Sequence, residues 1–578
     1  MIFDEFVKRR EWRIYAAVAA VALAARAILF TDWLRSPLRF FHLVPGLDMM
    51  TLLRFSEWGS GGVILFAPHR MLVALLWYWN GKVHAVEALA VIQLLAGAAV
   101  AVMTAYAALR LWGGRRAALA AGLIAALYAP AAMYELTMLQ EALTLFTFTA
   151  SFAGILWARK HHFRFLPGFA AGALLGLASV GRPTALLWVF AALAWSGFLL
   201  WRRGRLKRLG ALAGGVLAVW LLISALNWYF VRYPGPFYMV FGYSATVNAA
   251  PAAGGAPVVA PVVAPVVADS PAAKLFRIGW NAAQRVPKVF LAHEIPDNMN
   301  YYFIRENFPA LKLLIGPGLL VPFALAGLAL VLAFRPYRRR DAVILLAVAA
   351  LVLPICANYP LGRYRLILLT PFVLLAVEVF RVGLSNPRWR RLPAAAAVLA
   401  GAFLVNPVPD GRFLRSSDFV AWTLALEQPS GQVNPESLAT LAEGYRLCGG
   451  EAVTMNLLIR LIGLREFDAA ERLIADALEQ GRGNPSLLLY YGAMLKLERG
   501  DLPAAGAMLD RAGPASRLGD LAVKYRYLQG EIARRRGDVE AARRRFREAL
   551  AEPDPFGFRP TVEAALRRLD APSLPNQE

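Results

Sequence analysis

The chain has 578 residues; 58% are hydrophobic, only 17% are charged, and the formal net charge is +23. A soluble protein carries about 25% charged residues, so this composition excludes an ordinary soluble enzyme and is read as a polytopic membrane protein. Residues 411–578 hold 23 basic and 23 acidic side chains, so the whole excess falls in residues 1–410, where the positives flank apolar runs; the positive-inside rule accounts for them, and no nucleic-acid partner is expected.

Taken in chain order, the start "MIFDEFVKRREWRIYAAVAAVALAARAILF" has a basic flank and then an apolar run. A cleaved signal peptide would fit the small residues of "AARA", but many more spans follow, so an uncleaved first helix with its N-terminus inside is predicted. Further apolar runs predict spans near 14–31, 88–109, 117–133, 142–158, 166–181, 184–201, 209–229, 311–334, 341–357, 364–380 and 392–406. The "VGRPT" at 180–184 separates two of them, because proline and a charge break a helix at the membrane surface. The expected fold class is all-α: a polytopic membrane helix bundle of about eleven spans over residues 1–410, followed by a helical repeat domain.

Six basic clusters, "KRREWR" (8–13), "RLWGGRR" (110–116), "RKHHFR" (159–164), "RRGRLKR" (202–208), "RPYRRR" (335–340) and "RVGLSNPRWRR" (381–391), hold 23 of the 39 Lys and Arg of residues 1–410. They fall at alternate span ends, as a cytoplasmic set should. The other loops then face outward, and with an odd number of spans so does everything after 407. Asp48, Glu135, Glu141, Arg182, His293, Glu294, Asp297, Arg363 and Arg365 all gather at that outer face. Ionisable residues at membrane depth are costly and usually line a cavity.

Two stretches differ in kind. Residues 249–268, "AAPAAGGAPVVAPVVAPVVA", read as an extended low-complexity insertion in an outer loop. After a linker at 411–430, residues 431–570 repeat themselves. "REFDAAERLIADAL" (465–478), "GDLPAAGAMLDRA" (500–512) and "GDVEAARRRFREAL" (537–550) place paired alanines at 469–470, 504–505 and 541–542. A period near 34 with small residues where helices cross resembles tetratricopeptide repeats. Such arrays usually bind protein, so a protein partner or a structural cap is expected of this part. The two cysteines, Cys356 and Cys448, form neither a disulfide framework nor a metal motif.

Five stretches together carry a family resemblance. They are "GLDMMTLLRFSEWG" (46–59), "YELTMLQEALTLF" (134–146), "GLASVGRPTALL" (176–187), "GRYRLILLTPFVLL" (362–375) and "HEIPDNMNYYFIRENFP" (293–309). The membrane part resembles the GT-C glycosyltransferases, in particular the bacterial family 39 members related to protein O-mannosyltransferases and lipid A aminoarabinose transferases. The resemblance implies an enzyme of the bacterial inner membrane, and the odd number of spans puts its C-terminal domain on the extracytoplasmic side. It would move a sugar from a polyprenyl-phosphate donor to a lipid, glycan or protein acceptor on the outer face, inverting the anomeric carbon.

That chemistry needs a base for the acceptor proton and positive groups for the departing phosphate. By resemblance, Asp48 is the candidate base or metal ligand; a helix N-cap before "MMTLLRFSEW" is the alternative. Glu141 is the second catalytic candidate, to orient the acceptor or bind a metal, against a plain first-turn Glu on the helix dipole. Glu135, six residues earlier, favours the structural reading. Arg182, Arg363 and Arg365 are candidates to hold donor phosphate, for which a planar guanidinium fork is suited; snorkelling at a helix end is the alternative. Arg363 and Arg365 stand two apart, so on a helix they diverge. His293 and Glu294 are candidates for substrate or for a divalent metal ion, although no HExxH, CxxC or DxD-like pair is present. A secondary transporter and a non-catalytic scaffold acting through the tail are the competing functions. Against the transporter, no inverted repeat and no matched pair of broken helices is visible.

Overall fold

The computed structural model describes residues 11–50, 68–231, 271–334, 342–357, 360–384, 391–406 and 413–570; the low-complexity stretch at 249–268 lies outside them. Among the described residues the regular structure is helical, with one isolated bridge between Tyr128 and Ile315. The chain divides into two compact units, the first ending at Phe413 and the second beginning at Leu414.

The first unit holds α1 (Trp12–Trp33), α2 (Pro68–Trp112), α3 (Arg115–Ala126), α4 (Ala129–Glu135), α5 (Glu141–Lys160), α6 (Phe165–Gly181), α7 (Leu186–Trp201), α8 (Leu209–Val231), α9 (Pro271–Val289), α10 (Tyr301–Asn307), α11 (Pro317–Phe334), α12 (Ala342–Ala357), α13 (Leu369–Leu384) and α14 (Arg391–Leu404). Among the described residues, five helical segments are long and apolar enough to cross a membrane: Trp12–Trp33, His84–Trp112, Glu141–Lys160, Pro183–Trp201 and Leu206–Leu226. Four shorter apolar helices accompany them. This is a multi-pass membrane protein.

The run expected as one span at 117–133 is two helices. Leu127 and Tyr128 leave the helix, and Tyr128 is extended (φ −78°, ψ 110°). Ile315 donates to the Leu127 carbonyl (2.7 Å) and Ala129 donates to the Ile315 carbonyl (2.9 Å), so the break is satisfied by a remote strand-like segment. Pro130 then opens α4, where its missing N–H costs nothing. The break delivers Tyr134 and Glu135 into the interior, where both are buried. The second helix likewise starts earlier than expected, at Pro68, with a break at Gly81 (φ +70°) before its membrane-length part.

Small residues and hydroxyls join the helices, as expected where lipid removes the hydrophobic driving force. A Cβ at Gly172 would overlap the Leu212 carbonyl and one at Gly215 the Phe169 carbonyl, so α6 and α8 touch backbone to backbone. The Thr370 hydroxyl meets those of Thr149 (2.7 Å) and Thr104 (3.3 Å), tying α13 to α5 and α2.

The bundle has two unlike ends. At one end described residues of the basic clusters make pairwise contacts: Arg110 donates to Glu11 (2.9 Å), Arg208 donates to the His162 carbonyl (2.8 Å), and Arg381 lies over Trp112 (5.3 Å). The other end holds the C-terminal ends of α1, α3, α6 and α12 and the N-terminal end of α5, and there the acid–arginine contacts described below occur.

The second unit is a succession of helices: α15 (Ser416–Glu427), α16 (Pro435–Leu447), α17 (Glu451–Gly463), α18 (Phe467–Glu479), α19 (Pro485–Glu498), α20 (Leu502–Ala512), α21 (Ala522–Arg535), α22 (Val539–Ala551) and α23 (Arg559–Asp570). Each packs on the next in the chain. Asn484, Asp501 and Asp538 cap α19, α20 and α22 by accepting backbone N–H groups. In each repeated alanine pair the second member, Ala470, Ala505 or Ala542, is fully buried, because a larger side chain would hold adjacent helices apart. The stretch expected as a linker at 411–430 carries α15, whose Phe419 and Trp422 are buried, with Phe419 packed on Gly444 of α16.

Candidate functional site

Four segments bring charge to the acidic end of the bundle. The first is the turn after α1, which places Asp48. The second is the start of α5, with Glu141 in its first turn. The third is the end of α6, where Arg182 is the C-cap in an extended conformation forced by Pro183. The fourth is the helical turn Gly362–Arg365, ahead of α13.

The loop 290–300 completes the set and is pinned along its length. Ala292 donates to Asn406 Oδ1 (2.6 Å), Gly362 donates to the Ile295 carbonyl (3.1 Å), and Asn300 caps α10 while its amide donates to the Phe413 carbonyl. His293 stacks flat on Phe413, 4.9 Å between ring centroids. Burial, helped by the nearby Arg365 charge and opposed by Glu294, holds the His293 imidazole below its usual range, so it is neutral near pH 7.

The contacts form one chain. Arg363 Nη1 donates to Asp48 Oδ2 at 2.6 Å. Its Nε lies 2.5 Å from Asp297 Oδ2, an ion contact off the line of a hydrogen bond. Its Nη2 reaches the Tyr364 hydroxyl (3.3 Å). Two cations lie over Tyr364: Arg182 is 4.3 Å and Arg363 5.0 Å from its ring centroid. Arg182 Nη1 in turn donates to Glu141 Oε1 at 3.1 Å. Asp48, Glu141, Arg182 and Arg363 therefore assemble around one tyrosine. Burial works against the Arg363 charge, but Glu141, Asp48, Tyr364 and Asp297 outweigh it and hold the guanidinium firmly protonated.

Arg365 turns the other way. It is buried, donates to Glu294 Oε1 (3.3 Å) and to the Lys288 carbonyl at the end of α9 (3.1 Å). Tyr128 also donates to Glu294 (3.4 Å). A Cβ at Gly362 would overlap Glu294 Oε2, so only glycine leaves room for that carboxylate. Glu135 lies deeper, paired with Arg26 of α1 at 2.7 Å; both side chains are almost fully buried. Arg26 also donates to the Ala126 carbonyl at the end of α3 (2.9 Å), so this pair ties helices together.

The carboxylates differ in access. The Asp48 side chain is 50% exposed, against 2% for Glu141 and 8% for Glu294. Among the described residues no group of three His, Cys, Asp or Glu side chains stands close enough to hold a metal ion. The carboxylates of the site face guanidinium groups, so its donor set does not fit a divalent cation.

Sequence reasoning missed Tyr364, Tyr134, Tyr128 and Arg26 as members of this region. Tyr134 is buried within electrostatic reach of Glu294, Glu141, Arg363 and Asp297, at the middle of the charged cluster. Arg26 was legible as a lone charge inside an apolar span, the kind that requires a partner. The tyrosines carry no such signal, because an aromatic at a helix end fits packing equally well.

No family model matches the chain, and no curated protein sequence matches it. Solved structures similar to it include the oligosaccharyltransferase AglB from Archaeoglobus fulgidus in complex with an inhibitory peptide and a dolichol-phosphate, at 14% identity and a TM-score of 0.37, covering 76% of this chain. An Archaeoglobus fulgidus oligosaccharyltransferase tethered to an acceptor peptide is similar at 12% identity and a TM-score of 0.35, again over 76% of this chain. This chain spans 58% and 59% of the length of those two proteins. ArnT from Cupriavidus metallidurans in the apo state is similar at 17% identity and a TM-score of 0.39, over 89% of this chain and 76% of ArnT.

Proposed function

We propose that this chain is a membrane glycosyltransferase that moves a sugar from a polyprenyl-phosphate donor to an acceptor at the extracytoplasmic face, with inversion. The observation that carries the reading is a half-exposed carboxylate, Asp48, beside two guanidinium groups held on one tyrosine ring. An acceptor hydroxyl reaches Asp48 from solvent. Asp48 takes its proton as the acceptor oxygen attacks the anomeric carbon from the face opposite the phosphate. The bond from that carbon to the phosphate oxygen breaks, and the electron pair leaves on polyprenyl phosphate. Arg182 and Arg363 stabilise this growing charge, in a position where water is largely excluded.

Glu141, buried against the Arg182 guanidinium, orients it. Arg365 and Glu294 brace the turn that carries Arg363. The described residues of the basic clusters lie at the opposite end of the bundle, which supports an extracytoplasmic location for the acid–arginine end. The second unit is read as a tetratricopeptide-like array, on the ground that the repeated alanines are buried between successive helices. It would present an acceptor or recruit a protein.

The test is to incubate the purified protein in lipid nanodiscs with a panel of labelled polyprenyl-phosphate sugars. One donor should be consumed by the wild type and spared by Asp48→Asn. Consumption of none, or equal consumption by both, would favour a scaffold acting through the second unit.

A further inference from the structure

Base and leaving group require the same cation. With no donor bound, Arg363 Nη1 is taken by Asp48, and the Asp48 oxygen held this way is blocked from an acceptor hydroxyl. A phosphate seeking the guanidinium fork must compete for that position. Resting on the reading that this site takes a polyprenyl-phosphate donor, we propose that Arg363 is a gate: the incoming phosphate displaces Asp48 from Arg363 and so releases the base only when a donor is in place.

Three observations say which carboxylate yields. Asp48 is half exposed and sits at the edge of the cluster, whereas the Asp297 side chain is 20% exposed. Asp297 lies on the loop pinned by Asn406, Asn300 and Gly362, so its contact with Arg363 Nε persists while Asp48 moves. Tyr364 supports the guanidinium from its face and through its hydroxyl, so Arg363 keeps its place as its partner changes. Arg182, over the same ring, supplies the second positive group for the same anion. A free acceptor that arrives before the donor then meets a masked base.

The exchange is read by binding, without turnover. A fluorescent polyprenyl phosphate lacking sugar is titrated into nanodiscs of neutral lipid containing the wild type, Asp48→Asn, Asp297→Asn, Arg363→Gln or the Asp48→Asn/Arg363→Gln pair. Removing the competitor should tighten binding about 2- to 5-fold in Asp48→Asn, the equivalent of a partly exposed ion pair. Asp297→Asn should not tighten it. In the Arg363→Gln background the Asp48→Asn gain should vanish, the signature of a direct coupling. Arg363→Met serves the same cycle should Arg363→Gln not insert. Binding by the wild type with no gain in Asp48→Asn, or an equal gain in Asp297→Asn or without Arg363, overturns the gate and leaves the phosphate site standing. No binding by any variant overturns both.

Discussion

Asp48 and Arg363 stand 315 residues apart in the chain and 2.6 Å apart in the structure. The contact joins the segment after the first helix to the turn before α13. It also separates two roles that a charged cluster can have. Asp48 is half exposed and bound through one oxygen, so it is placed for chemistry; the deeper pairs are placed for structure. Asp48→Asn is therefore expected to insert and unfold like the wild type while losing about 10²- to 10⁴-fold in sugar transfer, the usual contribution of a general base. Transfer assays beside thermal unfolding in the same nanodiscs check both halves. An Asp48→Asn protein with near-normal transfer would remove Asp48 from the reaction.

The Glu294–Arg365 pair should behave in the opposite way. Both side chains are buried, and Gly362 leaves no room for a Cβ beside Glu294. Removing one partner strands the other charge, at a cost of about 3–5 kcal/mol. Arg365→Met should thus lower the unfolding temperature sharply, and adding Glu294→Leu should recover much of the loss. Gly362→Ala should destabilise through the same carboxylate. Unfolding curves of the four proteins decide it: a double variant no better than Arg365→Met would mean the pair is not the source of the effect.

Arg182 and Arg363 share Tyr364, and the sharing has a kinetic consequence. A lysine in place of Arg182 keeps the charge but loses the planar fork and the stack on the ring. Arg182→Lys should raise the KM for donor more than it changes kcat. Tyr364→Phe keeps both stacks and loses only the hydroxyl contact, so it should be the milder change; Tyr364→Leu should be the more severe. Steady-state kinetics on the donor found by the panel supply the ordering. Equal effects of Phe and Leu would remove the stacking role.

Much of this was readable before any coordinates, for physical reasons that differ residue by residue. A carboxylate or guanidinium beside an apolar run is expensive, so Asp48, Glu141, Arg182, Arg363 and Arg365 marked themselves by being there at all. Their pairing was not legible, since partners such as Asp48 and Arg363 lie in distant segments. The divergence of Arg363 and Arg365 followed from helical spacing, and the two do reach different carboxylates. The break at Tyr128 was hidden because its satisfying partner, Ile315, lies far along the chain and offers only backbone. Tyr364 was hidden because a ring that holds two guanidinium groups looks the same in sequence as a ring that fills a gap.

Acid should weaken the first unit through His42. This residue lies in the turn Pro37–Leu43, partly buried, with Nδ1 2.9 Å from the Arg39 carbonyl. Burial pushes its pKa down to about 4, the bond to that carbonyl partly opposing this and the Arg39 charge adding to it. In the unfolded chain an imidazole titrates near 6.5. Between those values the unfolded state binds the proton and the folded state does not, so stability rises with pH across the window and falls as pH drops from about 6.5 toward 4. The full loss is up to about 3 kcal/mol for a shift of this size. His42→Asn retains a side-chain donor for the Arg39 carbonyl and cannot titrate. Its unfolding temperature should therefore fall less than that of the wild type between pH 7.5 and pH 5. Parallel declines in the two proteins would assign the acid sensitivity elsewhere.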